Sequence, residues 1–131
     1  MTFRELEKKY SVAWSPEDPM SSLSEWYLSV RDTDFDNLEV GDVCRALRQD
    51  LFIADLLTIA TRFLSEDVLT GDRYDGELIS ALADIKADYW VVNVQAARDT
   101  IDALVRVSDV TEDVDCLSDT SRLIKTIKAI I

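Results

Sequence analysis

Histidine is absent from this 131-residue chain, and glycine, proline and cysteine are scarce, with three, two and two residues respectively. Without an imidazole there is no Ser-His-Asp or Cys-His nucleophile system and no histidine general base. A histidine-containing zinc site is excluded too, and Cys44 and Cys116 are too few and too far apart to supply a structural one. The glycines, at 41, 71 and 76, cannot form G-x-G-x-x-G or a P-loop, so the usual nucleotide cradles are missing. No cofactor is expected. Two cysteines make no disulfide framework and suit a reducing compartment. No run approaches the ~18 uncharged apolar residues of a membrane span. The opening MTFRELEKKY alternates charges where a signal peptide would be apolar, which predicts a cytoplasmic protein.

Basic residues are also in short supply. Lys and Arg number 14 against 26 Asp and Glu, a formal net charge of −12. Such a surface repels phosphate backbones, so nucleic acid is not an expected partner. Hydrophobic residues make up 47% of the chain. That is enough to bury about two-thirds of the surface of the unfolded chain, as one domain of this length should. A single helical domain over 1–131 is expected, with residues 1–36 as short N-terminal helices.

The low glycine and proline content and the 3.6-type spacing from about residue 40 predict an all-α fold, a compact bundle of antiparallel helices or helical hairpins. Met1 to Tyr10 reads as a short helix with Thr2 as cap and Glu5 three residues on. Ser15 to Pro19 breaks the chain. Ser21 or Ser22 caps a second helix carrying Leu23, Trp26, Tyr27 and Val30, and Arg31 to Glu39 reads as a solvated connection. From Gly41 to Ser65 the apolar spacing is helical except at Arg48-Gln49-Asp50, which predicts two helices with a tight joint. Ser65 to Gly76 should be a loop. Leu78, Leu82, Ile85, Tyr89 and Val92 form one stripe. A second stripe runs through Trp90, Val94, Ala97, Ile101, Leu104 and Val105, so a new helix is expected near Lys86-Ala87-Asp88. Ser108 to Asp115 reads as an acidic linker, and Leu123, Ile127 and Ile130, with Ile124 and Ile131 alongside, mark the buried stripe of a last helix.

Several groupings invite a chemical reading, and most fail it. Asp32-x-Asp34-x-Asp36 begins like a calcium loop, but the positions that need Gly and a bidentate Glu hold Asn37 and Val43. Glu66 with Asp67, or Asp72 with Asp75, could do paired-carboxylate chemistry, yet their spacing does not separate them from solubilising surface. Carboxylate-only metal hydrolysis lacks the Glu-x-x-His pairs of di-metal bundles. Cys44 falls on an apolar helix face and reads as core. At Cys116 a helix N-terminus would lower the thiol pKa, and five surrounding acids would oppose it. Trp90 reads as core. No enzyme is expected.

The charge is uneven along the chain. Twelve acids and four Arg lie between Asp32 and Glu77, whereas Leu117 to Ile131 is mildly basic. Tyr74, an aromatic between Asp72 and Asp75 in a polar loop, has the character of an interface anchor. The candidate partner-binding residues are therefore Asp67, Asp72, Tyr74, Asp75 and Glu77, with Asp32 to Glu39 as the competing segment. Such a face suits a basic protein partner, whose association it would steer and select.

Between Asn37 and Trp90 the chain carries Leu38-Glu39-Val40-Gly41-Asp42-Val43, then Ala46-Leu47-Arg48-Gln49 leading into Leu51-Phe52. Leu56-Leu57, Ala60, Tyr74-Asp75-Gly76-Glu77-Leu78 and Asp88-Tyr89-Trp90 follow in order. In this stretch the sequence resembles the immunity proteins of bacterial contact-dependent growth inhibition (CDI) systems. The resemblance implies a small, helical, cytoplasmic protein that binds and neutralises a cognate toxin, the C-terminal domain of a large exported CDI protein and commonly a nuclease. It implies no catalysis and no cofactor. A monomer or weak homodimer is expected. The competing reading from residues alone is a non-catalytic helical adaptor that binds another basic protein.

Overall fold

The computed structural model describes all residues from 1 to 131. Nine α-helices and one 3-10 turn make up the chain, with no strand, so the fold is all-α. No helix is long and apolar enough to cross a membrane. The residues divide into two compact units, Met1–Glu39 and Val40–Ile131.

The first unit holds α1 (Phe3–Lys9), α2 (Ser22–Val30) and the 3-10 turn Phe35–Asn37. Thr2 Oγ1 accepts the Glu5 N–H at 3.2 Å, and Ser21 Oγ accepts that of Ser24 at 3.1 Å, so both helices start on hydroxyl caps that satisfy otherwise orphaned donors. Phe3 is the centre of the aromatic core: its ring lies 5.5 Å from Tyr27 and 5.0 Å, edge-on, from Phe35. One charge is buried with them. The Glu7 carboxylate accepts from the Tyr27 hydroxyl at 2.6 Å and from both Nε and Nη2 of Arg31. The stretch Arg31 to Glu39 is therefore not the solvated connection its composition suggested. Phe35 and Leu38 are buried, and Arg31 and Asp32 are ion-paired to Glu7 and Arg4 of α1. Acid content alone misled here because Asp32 and Asp34 are engaged by Arg4 and by the N-terminal amine.

The second unit contains α3 (Val40–Arg48), α4 (Ile53–Glu66), α5 (Glu77–Ala83), α6 (Ala87–Val91), α7 (Val94–Leu104), α8 (Val107–Val110) and α9 (Val114–Lys128). α5 packs against α9 and α3, and α4 against α7 and α3, while α7 also meets α9. The joint expected at Arg48-Gln49-Asp50 is present, and its geometry explains it. Leu51 N–H reaches the Ala46 carbonyl at 3.0 Å, Asp50 N–H reaches that of Leu47 at 3.2 Å, and Asp50 is left-handed at φ 56°. Those features constitute a Schellman stop for α3, with Asp where Gly is usual.

The buried set includes Val43, Leu47, Leu56, Leu57, Leu78, Leu82, Leu123 and Ile127, as the spacing predicted, and Cys44 lies among them. Thr61, Thr100 and Thr120 are buried as well. Each hydroxyl donates to the carbonyl four residues earlier, so no partner from another element is needed. The second stripe is less regular than expected. A stop at Val92-Asn93 separates α6 from α7, leaving Val92 and Val105 at 71% and 65% exposure. The one-turn helix α8 runs into the acidic linker expected from Ser108 to Asp115, and its first residue, Val107, just before that stretch, is fully buried.

Trp90 is completely buried, and its indole Nε1 is the one buried side-chain N or O atom without a hydrogen-bond partner. A desolvated, unbonded donor costs about 1–3 kcal/mol. Trp90→Phe, which removes that donor along with part of the ring, is therefore expected to cost less than about 2 kcal/mol. Leu82→Ala, with no such compensation, should cost about 2–5 kcal/mol. Chemical denaturation of the two variants checks the order, and a larger loss for Trp90→Phe would refute it.

Candidate functional site

The loop between α4 and α5 is the polar, tyrosine-bearing stretch identified from sequence, and its shape follows from a few bonds. Asp67 ends α4 and turns the chain by accepting the Leu69 N–H at 3.0 Å. Val68 is buried and anchors the first half. Gly76 N–H then donates to the Leu69 carbonyl at 2.8 Å, and Leu78 N–H to that of Thr70 at 3.3 Å, closing the loop at its base. Gly71 is required by space: a Cβ there would stand 2.3 Å from the Tyr74 carbonyl oxygen and 2.6 Å from Glu77 Cβ. Gly76 is required by both conformation and space, with φ 84° and Cys116 Sγ 2.8 Å from where its Cβ would be.

Asp67, Asp72, Tyr74 and Asp75 are exposed, as a docking face needs. Glu77 is not. It is 1% exposed, and its carboxylate faces inward, so the structure removes it from the contact surface on which the sequence placed it. Oε1 accepts the backbone N–H of Asp72 at 2.7 Å and that of Arg73 at 3.0 Å, and Oε2 accepts Arg48 Nη1 at 2.7 Å. Burial by itself would push this carboxyl up; the Arg73 N–H, the Arg48 guanidinium and the Asp72 N–H together hold it below the usual 4.5. The other nitrogen of the same guanidinium, Nη2, donates to the Tyr74 hydroxyl at 3.3 Å.

The loop does not stand alone. Tyr74, Asp75, Gly76 and Ser80 form one wall of a cleft of about 590 Å³, and Thr111, Asp113, Asp115, Cys116, Ser118 and Asp119 form the other. Sequence reading treated those later acids as a linker and as neighbours of Cys116, because nothing in a one-dimensional pattern places them beside Asp75. Asp113 caps α9 through the Cys116 N–H at 2.8 Å, and Asp119 accepts Arg122 Nη2 at 3.0 Å. Asp75 and Asp115 make no ion pair, so their charges face the cleft uncompensated. Elsewhere in the chain, as here, no three acids or thiols are grouped so as to hold a metal ion.

Neither cysteine is poised to react. Burial, then the Glu77 carboxylate, pushes the Cys44 thiol up to about 12. Burial, then Asp113, raises the Cys116 thiol. The competing acidic segment is more occupied: Asp32 is bonded to Arg4, and Asp34 caps the Asp36 N–H at 2.9 Å.

A family model described as CDI immunity proteins matches residues 8–99. No curated protein matches the chain. The matched span contains the loop and one wall of the cleft, and the other wall lies beyond it.

Because the Glu77 pKa is lower folded than unfolded, its contribution to stability is fully present above the ordinary 4.5 and is lost as pH falls through the folded value. Denaturation measured between about pH 3 and pH 7 should show Glu77→Gln less stable at neutral pH and with a flatter acid limb than the native chain. An unchanged acid limb would show that Glu77 is not held charged in the fold.

Proposed function

The chain belongs to the CDI immunity proteins, and on that premise we propose that it neutralises one cognate toxin, the C-terminal domain of a large exported CDI protein, by direct binding in the cytoplasm. The toxin is a nuclease in this reading. The observation that carries it is the meeting of Tyr74 and Asp75 with Asp113, Asp115 and Asp119 around one cleft, on a chain of net charge −12. A substrate channel built for phosphates is lined with basic groups, and a face of clustered carboxylates is its electrostatic complement.

The role asks no chemistry of the immunity protein. Burying about 1,600 Å² in total is enough to cover a channel. Asp67, Asp72 and Asp75 supply charge, and Tyr74, half exposed at 51%, supplies an aromatic anchor with two torsions to fix. Glu77 contributes from beneath the surface. The protein acts as a monomer or weak homodimer, without cofactor, nucleic acid or membrane.

Binding kinetics with the cognate CDI toxin domain test the proposal at two salt concentrations. Replacing Asp72 and Asp75 by Asn should lower the on-rate at low salt at least about fivefold and flatten its salt dependence. Tyr74→Ala should act mainly on the off-rate. Asp36→Asn, in the competing segment, should do neither. If all three leave binding unchanged, the docking face lies elsewhere. A toxin domain that does not cleave nucleic acid would refute the nuclease part alone.

A further inference from the structure

We infer that Arg48 and Glu77 are positioning residues for toxin recognition: they hold the α4–α5 loop in its binding shape before the toxin arrives, without forming the contact surface themselves. The inference rests on the reading that this loop docks the toxin. Its physical basis is the way one buried carboxylate and one guanidinium divide their atoms between structural and recognition elements. Glu77 gives Oε2 to Arg48 in the last turn of α3 and Oε1 to two consecutive backbone amides of the loop, those of Asp72 and Arg73. Arg48 gives Nη1 to Glu77 and Nη2 to the Tyr74 hydroxyl. The half-exposed ring of Tyr74 is thus tethered at its far end, and the backbone on its N-terminal side is pinned by the same pair.

A surface tyrosine and two neighbouring aspartates on a free loop would have to be ordered on binding, and that cost would be subtracted from the affinity. Here the ordering is done by folding. Gly71 bears this out independently, since the loop closes there so tightly that no Cβ fits between the Tyr74 carbonyl and Glu77. Lysine cannot replace Arg48 in this role, because a single ammonium lacks the planar fork that reaches two partners in fixed directions.

The test uses the full chain and the cognate CDI toxin domain, with two readouts: toxin-binding kinetics and hydrogen exchange of individual amides. Arg48→Lys and Glu77→Gln should each speed exchange at Asp72 and Arg73 about tenfold or more while leaving the amides of α7 protected, and should weaken toxin binding about tenfold or more. Arg48→Lys keeps the Glu77 carboxylate and its charge while loosening the fork that fixes its position over the two amides, so it remains informative if Glu77→Gln unfolds. Tyr74→Ala should weaken binding with exchange at the two amides unchanged. Faster exchange with unaltered binding in Arg48→Lys, while Tyr74→Ala still weakens binding, overturns the positioning role and leaves the docking face standing. Unchanged exchange in Arg48→Lys overturns it as well. Loss of effect in Tyr74→Ala and in the Asp72, Asp75 double variant instead overturns the docking face on which the inference rests.

Discussion

A carboxylate at 1% exposure stays ionised only if nearly all of its lone pairs are met by donors, and the arrangement of the second unit follows from how Glu77 meets them. The donors come from two places far apart in sequence, the end of α3 and the middle of the α4–α5 loop. Satisfying one buried charge therefore ties a helix terminus, a loop and the start of α5 into one geometry. Removing Arg48 strands the buried Glu77 charge, whereas removing Glu77 leaves Arg48 with access to solvent, so the first loss is the costlier. The pair's main effect is geometric: an apolar substitute of equal volume would leave the loop amides of Asp72 and Arg73 without their acceptor.

The first unit uses the same device with different parts. Glu7 of α1 is buried, and its carboxylate is met by Arg31 and by the Tyr27 hydroxyl of α2, with Trp14 beneath the guanidinium at 4.9 Å. In both units, then, an acid in a helix is neutralised by an arginine more than twenty residues away, and the connection between them is shaped around that bond. Small helical units with few glycines have little other means of fixing irregular segments, because only helices satisfy their own backbone. A buried carboxylate provides two oxygens that can do it.

Against that internal bookkeeping, the exposed acids stand out by contrast. Asp113 and Asp119 are employed in a helix cap and an ion pair, yet they line the same cleft as the uncompensated Asp75 and Asp115. Like charges gathered around one cleft repel each other and lower stability, a cost that a neutral surface would avoid and that a basic partner would relieve. Cys116, which also lines the cleft, has its thiol raised by burial and by Asp113.

Sequence periodicity determined the helical class, the α3–α4 joint at Arg48-Gln49-Asp50, the loop before α5 and the buried places of Leu82, Trp90, Leu123 and Ile127. All of these depend on local propensity and on which face of a helix is apolar, and both repeat at a spacing visible along the chain. The exposed members of the candidate face, Asp67, Asp72, Tyr74 and Asp75, were legible for the same reason. The fate of each individual charge was not. Glu77 and Asp75 are two residues apart and alike in composition, yet one is sealed beneath the loop and the other faces a cleft. Phe35 and Leu38 sit among acids and are buried nonetheless. Whether a carboxylate is solvated or internal depends on whether a donor from a distant segment reaches it, and whether acids at 75 and 115 share a cleft depends on α5 packing against α9. Those are distances between elements, set only when the chain has folded.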